Sequence, residues 1–122
     1  MIKGIGTDIV EIDRISNAIK KDFFLKKAFS DIEINMAEAG NRDSFLAGNF
    51  ATKEAFVKAL GLGFRGIGLK DLEVLRDENG KPFIKICNIS NIHLKDIDEA
   101  KVHVSISNTK TLAISTVVIE SD

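Results

Sequence analysis

From residue 2 to about residue 12 the chain alternates between two faces, one carrying Ile2, Gly4, Gly6, Asp8, Val10 and Ile12. A period of two with frequent β-branched residues predicts a strand. Residues 14–21 read as a short helix, with Asp13 standing where an N-cap belongs. Ser30 and Glu33 have the spacing of a capping box, so another short helix is expected to about Glu38. "AGNRD" breaks it. The longest helix begins at Asp43 or Ser44 and runs to about Leu60, where Gly61 and Gly63 stop it. Residues 69–77 and 82–87 flank Asn79-Gly80, a dipeptide suited to tight turns, and predict a hairpin. Residues 89–98 show at most one helical turn. "KVHVSIS" and "TLAISTVVI" flank Asn108-Thr109-Lys110 and predict a second hairpin. Helices first and hairpins last give an α+β class with a mainly antiparallel sheet.

Three polar intrusions interrupt this apolar pattern. The long helix is hydrophobic on nearly every side, yet Glu54 and Lys58 stand in it at i and i+4, flanked by Ala47 and Ala51. They are either an ordinary exposed ion pair or charges placed where a ligand approaches. Asp8 shares its strand face with two glycines, which mark close approach of a ligand or another backbone. It is a candidate Mg²⁺ ligand or an edge-strand acid beside a bulge. In "VHVSIS", Val102, Val104 and Ile106 point one way and His103, Ser105 and Ser107 the other. That polar stripe suits a phosphate, or simply a strand with one wet face.

Composition narrows the classes. A chain of 122 residues with 44% hydrophobic residues is expected to form one domain, residues 1–122, with a real core. Seventeen basic against 18 acidic residues leave a formal net charge of −1, so no nucleic-acid partner is expected and a polyanion must meet a local basic cluster. The single cysteine, Cys87, excludes a disulfide framework, and its place in "PFIKIC" predicts a buried, inert thiol. No apolar run is long enough for a membrane span and the N-terminus lacks a signal-peptide pattern, which points to the cytoplasm. "GLGFRGIG" after the helix lacks the GK[ST] ending of a Walker motif. Two carboxylates, a lysine, a histidine and a glycine-rich turn together suit Mg²⁺-assisted phosphoryl chemistry. The competing readings are a non-catalytic module that holds a phosphate ligand and a polar face that serves oligomerisation alone.

"GIGTDIVEIDRI", "FLAGNFATKEAFVKALGLG", "NGKP" and "VHVSIS", in this order from near Ile2 to about Glu120, resemble the holo-[acyl-carrier-protein] synthases, the small 4′-phosphopantetheinyl transferases of fatty-acid synthesis. The resemblance implies transfer of phosphopantetheine from coenzyme A to a serine of apo acyl carrier protein, releasing adenosine 3′,5′-bisphosphate. It implies an antiparallel sheet packed against one long helix, in a homotrimer with active sites between subunits. Asp8 and Glu54 would coordinate Mg²⁺ with the pyrophosphate, and Lys58 would contact the same phosphates and serve the leaving group. His103, expected among the catalytic residues, and Ser105 would border coenzyme A. Gly61 to Gly63 would admit the nucleotide, with Arg65 and Pro82 on the same ligand. The serine base stays open between Glu54, metal-bound water and bulk solvent.

Because acyl carrier proteins are acidic, the basic face of Arg14, Asn17 and Lys21, with Lys20 adjacent and Lys26 and Lys27 beyond, becomes a candidate docking surface. The chain also departs from the family pattern. Asn49 stands where an arginine is usual, leaving Arg65 or Lys53 to replace that charge. Asn108 stands where a second histidine is common, and Asn35 near a position that some members fill with an acid.

Overall fold

The computed structural model describes residues 1–63 and 65–121; Phe64, in the middle of the glycine-rich turn, lies outside the described residues. In chain order the elements are β1 (Ile2–Glu11), α1 (Ile12–Ala18), α2 (Asp22–Ala28), α3 (Asp31–Ala37), α4 (Arg42–Leu60), β2 (Leu72–Arg76), β3 (Pro82–Ile86), β4 (Val102–Asn108) and β5 (Leu112–Glu120). β5 lies between β1 and β4 in a three-stranded antiparallel sheet, and β2 pairs with β3 in a separate antiparallel hairpin. The α+β class and both hairpins agree with the sequence pattern. Where two short helices and one long one are expected, there are four helices.

The additional helix, α2, follows a turn through Ile19, Lys20 and Lys21, so the expected helix over residues 14–21 ends early. The cause is burial. Ile12, Ile15 and Ile19 line the inner face of α1 and the following turn, and an unbroken helix would next bring Asp22 and Lys26 inward. Restarting at Asp22 buries Leu25 and Ala28 instead. Asp13 is not the N-cap: α1 begins at Ile12, directly after β1, and Asp13 lies in its first turn.

The capping box is present as expected. The Glu33 backbone N–H donates to the Ser30 hydroxyl, and the Ser30 N–H donates to the Glu33 carboxylate. α4 starts slightly earlier than expected, capped by Asn41, whose side-chain oxygen accepts from the Ser44 N–H at 3.1 Å. It ends at Gly61 in the left-handed region, φ 75°. In the first hairpin, residues 69–71 form a 3₁₀ turn, so β2 begins at Leu72. Cys87 corrects the sequence reading. Ile84 and Ile86 point inward, so alternation turns Cys87 outward and it is exposed. Its sulfur still lies 3.2 Å from a Glu73 carboxylate oxygen. Partial shielding of the sulfur from water and that carboxylate push the thiol up to about 11, which keeps it inert.

α4 is the centre of the molecule because successive i,i+4 pairs on it meet different neighbours. Ala55 and Ala59 face β1, where Gly4 and Gly6 lie so close that a Cβ on either would fall onto the Ala59 or Ala55 carbonyl oxygen. Thr52 meets β5: its hydroxyl lies 2.8 Å from the Ser115 hydroxyl and 2.8 Å from the Gly48 carbonyl. Asn49 and Lys53 face α3. The Lys53 ammonium donates to Glu33 at 2.7 Å and to the Ala28 carbonyl at 2.8 Å, with both charged side chains 0% exposed. Asn49 donates to the other Glu33 oxygen and to the Val74 carbonyl, both at 2.9 Å. A buried pair that lost one partner would leave an uncompensated charge, at a cost of about 3–5 kcal/mol.

The glycine contact makes a direct prediction. Gly6→Ala should force β1 and α4 apart and cost at least about 1–3 kcal/mol, the usual range for overpacking. A urea-unfolding midpoint equal to that of the unsubstituted protein would contradict the close approach.

Candidate active site

Asp8 lies two residues beyond Gly6 on the same strand face, opposite Ser115 on β5. Because β1 is an edge strand, that face meets solvent where α4 passes over it. Lys58, one turn beyond Glu54 on α4, reaches back and donates to the Asp8 carboxylate at 3.0 Å and to the Thr7 carbonyl at 3.1 Å. The Lys58 side chain is 53% exposed and that of Asp8 only 17%. The lysine therefore remains free to turn toward a ligand while the acid stays fixed. Glu54 does not pair with Lys58 as an i,i+4 ion pair would; in this structure the lysine's ion pair is with Asp8.

Glu54 carries the clearest electrostatic signal. Its carboxyl is held above the ordinary value first by burial and then by the Asp8 carboxylate, with Lys58 and Arg14 pulling the other way. Two acids that repel one another, only one of them in direct contact with a cation, are a donor set that a hard divalent ion would relieve. Among the described residues no cluster of three or more His, Cys, Asp or Glu side chains could hold a metal. The set thus fits an ion that takes its remaining oxygens from substrate phosphate or water.

The other expected site residues are dispersed. His103 and Ser105 lie on the opposite face of the sheet from Asp8, because Ile106, paired to Ser115, shares the Asp8 face and the odd-numbered positions of β4 do not. The His103 imidazole lies 3.0 Å from the Glu120 carboxylate. Within one copy, then, they do not meet the Asp8–Glu54–Lys58 group. Gly61 and Gly63 both have positive φ and open space where a side chain would be, and Arg65 is exposed in the same turn. Pro82 opens β3 and lines a cleft with Ser44, Arg76 and Asn108. Asn35 lies exposed on α3.

Lys53 cannot replace the charge missing at position 49, since it is sealed against Glu33. Asn49 is equally buried, so this position faces the interior rather than a ligand. Sequence reasoning missed this network, although the capping-box glutamate, Glu33, was its visible half. It also missed the second role of Arg14, which is exposed on α1 yet acts on the Glu54 charge. The basic docking candidates are exposed, but Lys20 and Lys21 lie in the turn between α1 and α2 rather than on a common helix face with Arg14 and Asn17.

Residues 4–117 match the profile of the 4′-phosphopantetheinyl transferase superfamily. A holo-[acyl-carrier-protein] synthase of Clostridium beijerinckii is 46% identical over 99% of both chains. The chain belongs to the holo-[acyl-carrier-protein] synthase family. It is a phosphopantetheinyl transferase. Two solved members of the family share the fold. One, from Bacillus anthracis in complex with CoA (3′,5′-ADP), has a TM-score of 0.82 at 37% identity and covers 100% of this chain and 99% of its own. The other, from Helicobacter pylori in complex with coenzyme A, has a TM-score of 0.83 at 32% identity, covering 95% and 99%.

For a synthase of this family, the Glu54 environment has a measurable consequence for stability. An acid whose folded value is raised holds its proton more tightly in the folded state than in the unfolded one. The stability conferred by neutral Glu54 is complete below the ordinary value of 4.5 and is lost as pH rises through the raised folded value. Glu54→Gln should flatten that decline and leave the protein at least as stable as the unsubstituted enzyme near neutral pH. Urea midpoints across the acidic to neutral range measure this; a clear loss of stability in Glu54→Gln near pH 7 would contradict it.

Proposed function

We propose that this enzyme transfers the 4′-phosphopantetheine of coenzyme A to a serine of apo acyl carrier protein, with Mg²⁺, and releases adenosine 3′,5′-bisphosphate. The observation that carries this reading is the convergence of Asp8, Glu54 and a half-exposed Lys58 at the open edge of β1. In the overall exchange the serine hydroxyl oxygen forms a bond to the phosphorus attached to pantetheine. The phosphoanhydride bond to the adenosine 3′,5′-bisphosphate side breaks, and the serine proton leaves. Lys58 turns from Asp8 to the diphosphate and offsets or protonates the leaving phosphate oxygen. Asp8 and Glu54 would hold Mg²⁺ together with the phosphate oxygens, and the bound ion supplies positive charge where negative charge develops. The raised Glu54 carboxyl also makes it a better proton acceptor than an ordinary carboxylate. Gly61, Gly63, Arg65 and Pro82 are the proposed coenzyme A contacts.

His103 and Ser105 enter this reading through a second copy. The sheet face they share carries Ile5, Ile9 and Ile114, which are 65%, 58% and 40% exposed. Isoleucines on an open sheet are costly in water, and a homotrimer would cover them and bring the polar stripe to a neighbour's site. No helix among the described residues is long and apolar enough to cross a membrane. A cytoplasmic role in fatty-acid synthesis, with no nucleic-acid or membrane partner, completes the proposal.

Purified enzyme, coenzyme A, Mg²⁺ and apo carrier protein should give a phosphopantetheine mass increase on the carrier serine, abolished by chelator and by Glu54→Ala. No mass increase would sink the transferase reading in favour of a non-catalytic binding module. Docking is tested separately. Lys20→Glu with Lys21→Glu should raise the KM for carrier protein about 10-fold, more at low salt, and leave that for coenzyme A unmoved. Equal effects on both substrates would remove these lysines from docking.

A further inference from the structure

The glycine-rich turn leaves α4 at Gly61, three residues beyond Lys58, and rejoins the core at Ile67, which is buried. Between those ends the chain has little of its own to hold it. Gly61, Gly63 and Gly66 all have positive φ, at 75°, 63° and 80°, so neither a helix nor a strand ladder runs through them. Among the described residues from 63 to 66, no backbone N–H or carbonyl bonds to another backbone group. Such a segment keeps one course only where groups from elsewhere impose it.

The loop over residues 88–95 supplies them. The Asn91 amide donates to the Gly66 carbonyl at 2.6 Å. The His93 ring packs against the same residue: a Cβ on Gly66 would lie 3.1 Å from both its Cδ2 and its Nε2. Asn91 is also the pivot of its own loop. Its side-chain oxygen accepts from the His93 N–H at 2.8 Å, and its backbone carbonyl accepts from Leu94 at 3.0 Å and Lys95 at 2.9 Å. Leu94 is buried in the same core cluster as Ile67, Val57 and Leu72. A clasp thus runs from a fixed core position to the otherwise unsupported middle of the turn. Gly61, Gly63 and Arg65, proposed contacts of coenzyme A, lie between Lys58 and this clasp. A turn whose course is fixed beforehand binds better, because ordering a loose loop on binding subtracts from affinity.

We propose that Asn91 and His93 are positioning residues that hold Gly66 and so fix the glycine-rich turn in the course that receives coenzyme A, an assignment that rests on the coenzyme A reading above. Asn91→Asp separates the two tasks of Asn91. The carboxylate still accepts from the His93 N–H and keeps the loop, but it has no N–H for the Gly66 carbonyl and repels it. The KM for coenzyme A should rise about 5- to 10-fold, as expected for loss of one hydrogen bond. The kcat and the KM for carrier protein should move less than about 2-fold, a split that a merely structural role would not produce. His93→Ala should raise the KM for coenzyme A in the same way. His93→Phe, which restores a flat ring beside Gly66, should bring it back to within about 2-fold of the unsubstituted enzyme. His93 is exposed, so these two variants carry the comparison should Asn91→Asp fail to fold. An unchanged KM for coenzyme A in Asn91→Asp and His93→Ala, or an equal rise for both substrates, would overturn the clasp while leaving the transferase reading intact. Unsubstituted enzyme that transfers nothing from coenzyme A would instead overturn that reading and this assignment with it.

Discussion

The contact between Gly4 and Gly6 of β1 and the Ala59 and Ala55 carbonyls of α4 is what the rest of the molecule depends on. Side chains normally hold a helix well above a sheet, and two glycines facing two alanines remove that spacing. β1 and α4 meet backbone to backbone. Asp8, the next residue on the glycine face, and Lys58, directly before Ala59, are thereby brought into hydrogen-bond contact from positions 50 residues apart in sequence. A looser contact would separate the acid from the lysine and leave both as ordinary surface charges.

Neighbouring residues on α4 meet opposite fates because a helix turns about 100° per residue. Lys53 faces inward to Glu33 and is fully buried, where its ammonium ties α4 to α3 and to the end of α2. Glu54, one position on, faces the open edge beside Asp8, without a neutralising contact. The buried pair is complete and structural. The open group is incomplete, two acids and one half-exposed lysine, an arrangement that would suit phosphate and metal. Arg76 is a third case, a half-buried cation with no ion pair among the described residues, beside a cleft free of acids.

The single chain also leaves one sheet face uncovered. Ile5, Ile9 and Ile114 point away from α4 together with His103 and Ser105. The proposed trimer would bury the isoleucines and give the polar stripe a ligand to meet, and assembly and coenzyme A recognition would then be parts of one arrangement.

Periodicity alone determined much of this protein: β1, the two hairpins, the Ser30–Glu33 capping box and the glycine stop of α4 are local features that their own residues dictate. The motifs likewise pointed to Asp8, Glu54 and Lys58, because charges inside apolar patterns are conspicuous without a structure. Tertiary structure decided the rest. Whether Gly4 and Gly6 admitted a ligand or a backbone depended on which element packed above them, and it was α4. The turn at Ile19 came from the need to bury Leu25 and Ala28, not from any local breaker. Asn49, which stands where the family pattern has an arginine, is buried, and Lys53 is spoken for, because Glu33 and Val74 approach them from distant parts of the chain. Local hydrogen bonding and alternation are written in neighbouring residues, whereas pairing across the core depends on which surfaces the folded chain brings together.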